Sequence, residues 1–171
     1  SAGPNAPIIL TATMGGADAA WATALRTAHF PPERNYLRAH ITMFHHLPGP
    51  QWPLVKDAVK RLCAANPAPR ARIDRLLNLG RGVAFHVDSP DLLALRAELA
   101  DAFFGLLTPQ DSAKPRLHIT VQNKVEPSAA RRLLQVLEPE FTPRPLAIVG
   151  IEAHYYRGGP WEPIQGWKFR G

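Results

Sequence analysis

The sequence predicts an α+β fold: two pseudo-symmetric halves, with largely antiparallel sheets around a central cleft and helices outside. The first observation behind this is a repeated tripeptide, His40-Ile41-Thr42 and His118-Ile119-Thr120, each preceded at two residues' distance by an arginine, Arg38 and Arg116. With 7 His and 12 Ser plus Thr in 171 residues, chance gives about 0.5 His-x-Ser/Thr matches. Two copies that share the middle residue and the upstream arginine therefore read as an internal duplication. The second is that polar and apolar residues alternate around both copies, as in strands with one buried face. The third is the order strand-helix-strand-helix, which runs through the chain twice and favours a bilobed α+β architecture.

Taken in order, Ile8 to Thr13 reads as a strand ended by Gly15-Gly16. Asp18 precedes a helix with Trp21, Ala24, Leu25 and Ala28 on one face, closed by Pro31-Pro32. The first His-Ile-Thr strand spans Tyr36 to Phe44, and Pro48-Gly49-Pro50 follows it. A helix from Gln51 to Ala64 presents Leu54, Val55, Ala58 and Leu62, and Pro67 and Pro69 break it. Ile73 to Leu79 and Val83 to Val87 are strands joined by Gly80-Arg81-Gly82. Ser89 is an N-cap with Pro90 at the first helical position, for a helix that buries Leu92, Leu95, Leu99, Phe103 and Leu106. The second His-Ile-Thr strand, Arg116 to Val121, leads to a helix from Pro127 to Leu137. Pro145 to Phe169 is strand-like, with a loop at Gly158-Gly159-Pro160.

The length suits one domain over 1–171 with a real core, residues 1–7 being expected to be mobile. A hydrophobic fraction of 46% and a charged fraction of 20% are those of a globular protein. No apolar run is long enough to span a bilayer, and no basic segment followed by an apolar one opens the chain. The single cysteine, Cys63, makes no internal disulfide and fits a reducing compartment. A cytoplasmic monomer without membrane contact is the expectation. The net charge of +6 favours anionic partners. The basic residues are scattered, however, so most read as a solvated surface.

Period-two alternation puts Tyr36, Arg38, His40 and Thr42 on one face, and Arg116, His118, Thr120 and Lys124 on one face of the second strand. Two imidazoles in one cleft suit acid-base chemistry on a phosphodiester, because the ordinary histidine pKa, roughly 6.5, lies near working pH. Threonine hydroxyls donate to non-bridging phosphate oxygens. A single strand His-x-Thr is ordinary surface; the duplicated pair favours catalysis. Arg38 and Arg116 read equally as ligand contacts or as structural ion pairs. His46 shares the parity of His40, yet no Asp, Glu or Cys stands between them, so no metal site is read there and His45 and His46 are placed at the cleft rim. His29, His86 and His154 read as structural, and Cys63 as a buried, inert thiol. Tyr36 has the parity to stack on a base, although packing explains it equally well.

Two His-x-Thr-x motifs, His40-Ile41-Thr42-Met43 and His118-Ile119-Thr120-Val121, resemble those of the 2H phosphoesterase superfamily, the 2′-5′ RNA ligase-like proteins. The resemblance covers nearly the whole chain in motif spacing and element order. It implies a bilobed fold with a central cleft, no cofactor, and metal-independent hydrolysis, or in some members ligation, of a 2′,3′-cyclic phosphate or 2′-5′ linkage in a nucleotide or RNA end. It makes His40 and His118 the acid-base pair and Thr42 and Thr120 the phosphate ligands. It also has the second histidine activate water and the first protonate the 3′ oxygen. After the second motif members often carry arginines, whereas this chain reads Val121-Gln122-Asn123-Lys124, with Lys124 as the substitute charge. An RNA ligase and an RNA-binding module without turnover are the alternatives.

Overall fold

Two successive β-α-β-α-β runs share one antiparallel sheet, and each run lends a strand to the other. A computed structural model describes residues 5–171. Of the stretch expected to be mobile, residues 1–4 lie outside the described residues, whereas the Pro7 carbonyl accepts a hydrogen bond from the Tyr156 amide at 2.9 Å. The elements are β1 (Ile8–Met14), α1 (Gly16–His29), β2 (Ile41–Leu47), α2 (Trp52–Ala65), β3 (Arg70–Asn78), β4 (Val83–Asp88), α3 (Pro90–Ala102), the one-turn α4 (Pro109–Ser112), β5 (His118–Gln122), α5 (Pro127–Leu137), β6 (Arg144–Tyr155) and β7 (Glu162–Lys168).

Strand order is β1-β2-β5-β4-β3-β6-β7, and a further β1–β6 pairing closes the first six strands into a barrel. Two half-sheets, β2-β1-β6 and β5-β4-β3, make up this barrel. The first run ends in β3, which pairs with β4 of the second; the second ends in β6, which pairs with β1 of the first. Helices cross over in the same way. Helix α1 precedes β2 but packs on β5. Helix α3 precedes β5, yet the segment at its end sets Phe103 against Phe44 of β2, edge to face at 5.4 Å. Neither half can bury its apolar face alone, so the two fold as one body.

Several expected elements stand: β1, the β3–β4 hairpin with Gly80 at φ 87°, and α3, whose Ser89 hydroxyl accepts from the Leu92 amide at 3.0 Å. Leu92, Leu95, Leu99 and Phe103 are buried as expected. Other expectations are corrected. The His-Ile-Thr strands begin later, at Ile41 and His118, so Tyr36 and Arg38 lie on an irregular approach and not on a strand. On α1 the buried residues are Ala22 and Arg26, while Ala24 and Ala28 face solvent. On α2, Val55, Val59, Leu62 and Cys63 are buried and Leu54 is exposed. Helix α4 was not foreseen. Among the described residues, no helix is long and apolar enough to cross a membrane.

Gly82, at the end of the β3–β4 turn, is buried against the far end of β5, where a Cβ would sit on the Gln122 carbonyl. Gly82→Ala should therefore force the turn and β5 apart at a cost of about 2 kcal/mol. Urea unfolding reads this directly; an unchanged midpoint would mean that the hairpin tip shifts freely.

Candidate active site

The two half-sheets meet where β2 and β5 pair at Ile41 and Ile119, both fully buried. Antiparallel register turns the residues on either side toward each other, His40 toward Thr120 and Thr42 toward His118, on the face opposite the isoleucines. Each histidine thus faces the threonine of the other motif, and the two imidazoles stand diagonally across one point of the cleft. All four side chains are half-buried.

Both imidazoles are pinned alike. His40 Nδ1–H donates to the Arg38 carbonyl at 2.8 Å, and His118 Nδ1–H donates to the Arg116 carbonyl at 2.7 Å. A carbonyl only accepts, so the proton of the neutral ring sits on Nδ1 and Nε2 keeps its lone pair. Here the repeated arginine acts through its backbone; the side chains of Arg38 and Arg116 are exposed. Burial pushes His40 down to about 4, against the Arg38 carbonyl, which favours the charged ring; the charges of Arg26, His154 and His118 lower it further. Burial also lowers His118; the Arg116 carbonyl opposes the shift, and Arg116, His45 and His86 add to it.

Two buried arginines that sequence reasoning missed hold this meeting point. Arg26 of α1 donates to the Thr120 carbonyl of β5 at 3.2 Å and to Asn35 Oδ1 at 2.8 Å, and its guanidinium lies 4.0 Å over the Phe30 ring. Burial lowers it to about 10, so it stays charged at neutral pH. Arg96 of α3 donates to the Met43 carbonyl of β2 at 3.0 Å and to the Asp111 carbonyl at 2.6 Å. Each helix clamps the motif strand of the other run. The one sequence signal was Arg96, spaced i, i+4 from Leu92 on the expected buried face of α3; Arg26 lies off the face expected for α1.

Asp111 of α4 is 1% exposed and accepts from the amides of His45 and His46 at 2.8 and 2.9 Å. Burial alone would raise its carboxyl, but the hydrogen bonds from His45 and His46 and the His45 charge outweigh it and hold it below the ordinary carboxylate range. These amides belong to an irregular stretch: pairing with β1 shifts register twice, between Thr42 and Phe44 and again between Phe44 and Leu47. The first extra residue leaves Phe44 buried under α3; the second falls at His45 and His46, both exposed, so counting by two from His40 places neither.

Beside His40 opens a cavity of about 480 Å³ lined by Tyr36, Arg38, Thr11, Glu152, His154 and Trp161, among others. Trp161 lies between two imidazoles, 4.7 Å from His40 and 5.4 Å from His154. Thr13 donates to Glu152 at 3.1 Å, and Thr11 Oγ1 is 3.2 Å from His154 Nε2. On the far side of His118, His86 of β4 stands in direct register with it. Lys124 is not brought to the histidines: it lies past the end of β5, at φ 62°, beyond Gln122, which is itself about 13 Å along the strand from His118. Cys63 is buried, and burial raises its thiol to about 11. Among the described residues, no group of three or more His, Cys, Asp or Glu is placed to share a metal ion.

The depressed His40 carries a stability prediction. Its folded-state value of about 4 lies below the unfolded value, so the unfolded chain takes up the proton first as pH falls. Stability from this group is full above pH ~6.5 and is lost toward pH ~4, by on the order of 3 kcal/mol. Urea midpoints of wild type and His40→Asn at pH 7 and 4.5 should converge on acidification; parallel curves would mean that His40 titrates normally.

A family model described as the 2′-5′ RNA ligase superfamily matches residues 16–160. Comparison with curated proteins found no match. Three solved structures share the fold: E. coli LigT complexed with 3′-AMP (14% identity, TM-score 0.66, 98% of this chain and 99% of that one), a phosphoesterase (15%, 0.67, 98% and 99%), and TT0787 of Thermus thermophilus (14%, 0.65, 96% and 98%). The family match takes in both His-Ile-Thr motifs and most of each β-α-β-α-β run, and the chain belongs to the 2′-5′ RNA ligase superfamily of 2H phosphoesterases.

Proposed function

We propose that the protein is a metal-independent phosphodiesterase that hydrolyses 2′,3′-cyclic phosphate or 2′-5′ linkages in nucleotides or RNA ends. The supporting observation is the pair of imidazoles, each with Nδ1 fixed by a backbone carbonyl and Nε2 free, and each facing a threonine of the opposite motif. A cyclic phosphate placed between them takes donors from Thr42 and Thr120 on its non-bridging oxygens, where charge grows in the transition state. His118 Nε2 accepts the proton of the attacking water as its oxygen bonds to phosphorus. The bond from phosphorus to the 3′ oxygen breaks, and that oxygen receives a proton from His40 Nε2, leaving a 2′-phosphate. The nucleoside occupies the cavity beside His40, with Tyr36 and Trp161 as stacking surfaces. Arg38 and Arg116 line the approaches, and Lys124 contributes only long-range charge.

Burial keeps both rings neutral in the empty cleft, so the proton His40 must donate enters with the anionic substrate, whose charge offsets that of Arg26. The reactive form carries one proton on two groups that are both depressed, so kcat/KM should follow a bell with its maximum below pH ~6.5. The kcat profile should lie higher, because the bound phosphate favours protonation. Coincident profiles centred above pH 7 would contradict this electrostatic reading.

The test is incubation with 2′,3′-cyclic nucleotides in EDTA, with the product isomer identified. His40→Ala and His118→Ala should each lose about 10³-fold in kcat/KM, and Thr42→Val or Thr120→Val about 10²-fold, with folding intact. Turnover that persists in both histidine variants would refute the assignment. Joined oligonucleotides as product would identify a ligase.

A further inference from the structure

The two flanks of the catalytic point differ chemically. On the His40 side Glu152, Thr11, Thr13 and Trp161 line the cavity together with Arg38 and His154. On the His118 side stand two further imidazoles and an arginine that the hydrolysis does not use. His86 is in cross-strand register with His118 and shares its face, one strand spacing of about 4.8 Å away. Its Nδ1 is 2.6 Å from Asp74 Oδ1, and the ring keeps 17% exposure. His45 lies at the second register shift of β2, near enough to His118 for its charge to act on that ring; its Nδ1 is 3.2 Å from Asp111 Oδ1, and its side chain is 44% exposed. In both rings the carboxylate takes Nδ1 and leaves Nε2 without a protein partner among the described residues. Arg116, two residues before His118, is exposed and has no carboxylate partner among the described residues.

The charges do not cancel. Asp74 faces Arg75 at 3.1 Å as well as His86, and Asp111 faces His45 while lying close to the Arg96 charge. Each carboxylate is already matched by an arginine, so neither is left to cancel the charge of Arg116. A purely structural His–Asp pair does not require two such rings and a free guanidinium on one side of one cleft.

We propose that His86, His45 and Arg116 form an anion subsite beside His118 that takes a second phosphate of the substrate. The preferred substrate class is then a cyclic phosphodiester bearing a further phosphate, either a terminal 5′-phosphate or the next phosphodiester of an RNA end. Each imidazole becomes a donor at Nε2 when it takes up a proton together with the anion, and the forked guanidinium of Arg116 adds its own donors to the oxygens of such a group. The substrate-class statement rests on the hydrolase reading above; the subsite itself does not.

Turnover is compared on cytidine 2′,3′-cyclic phosphate, its 5′-phosphorylated form, and a dinucleotide ending in a 2′,3′-cyclic phosphate. One of the two phosphate-bearing substrates should show a KM about tenfold lower, and which one it is identifies the source of the second phosphate. That advantage should fall below about twofold in His86→Asn and in the surface variant Arg116→Gln. Equal KM values for all three substrates in wild type overturn the subsite and leave the two-histidine hydrolase standing. If nothing is turned over, inorganic phosphate is titrated into protein labelled with ¹⁵N-histidine. Shifts at His45 and His86, weakened in Arg116→Gln, support the subsite; shifts confined to His40 and His118, or none, overturn it.

Discussion

The site depends on the contact between β2 and β5 at Ile41 and Ile119, and on the two arginines that hold it. A lone cross-strand pair is a weak joint, because strands that diverge on both sides gain little ladder hydrogen bonding. Arg26 and Arg96 reinforce it from below, each donating to a main-chain carbonyl of the strand its helix covers. A guanidinium suits this place because it stays charged when buried and spreads several donors over one plane. Phe30 and Phe44 offer ring faces to the same groups, at 4.0 and 4.3 Å, which recovers part of the lost hydration. The clamps are reciprocal: helix α1 steadies the strand of His118, and helix α3 that of His40. A duplicated sequence gains a single site only through such an exchange.

That arrangement has an electrostatic consequence. Arg26 carries a full charge close to His40 with no carboxylate partner among the described residues, and burial strips water from the same ring. Both effects disfavour a proton on His40. On the proposed reading an anionic phosphodiester restores balance, so binding and protonation are coupled. Asp111 does the opposite work at the rim. It satisfies two amides of the irregular stretch in β2 and turns His45 toward the cleft, at the cost of burying a carboxylate that needs Arg96 nearby.

The duplicated tripeptide, the alternation of His with Thr, the order of elements and the Ser89 cap were all legible in the sequence, because each is a local pattern. The placement of His45 and His46 was not. Counting by two from His40 selects His46, but two register shifts against β1, between Thr42 and Phe44 and again between Phe44 and Leu47, make the count fail. Nothing in these residues announces the shifts, and Asp111, which satisfies the His45 and His46 amides, is far away in the chain and on a helix of one turn. Arg38 and Arg116 were noticed for their charge, whereas their carbonyls orient the rings, a role that any residue type fills. His86 looked isolated because its partners, Asp74 and His118, are brought to it by strand pairing alone.

In the proposed hydrolysis, pseudo-symmetry would account for the chemistry and its breakdown for selectivity. Two equivalent imidazoles, each with its Nδ1 on a carbonyl two residues back, would then supply a base and an acid without deciding which is which. The surroundings make that decision. In the first half-sheet, Thr13 and Glu152 are bonded to each other and Trp161 covers His40, which favours a neutral, planar group there. In the second, β4 carries His86 beside the motif strand, and Asp74 stands behind it on β3. Under the proposed hydrolysis, a substrate that is aromatic at one end and anionic at the other would enter such a cleft in one orientation. That orientation would fix which ring oxygen of a cyclic phosphate faces His40, and therefore which isomer leaves.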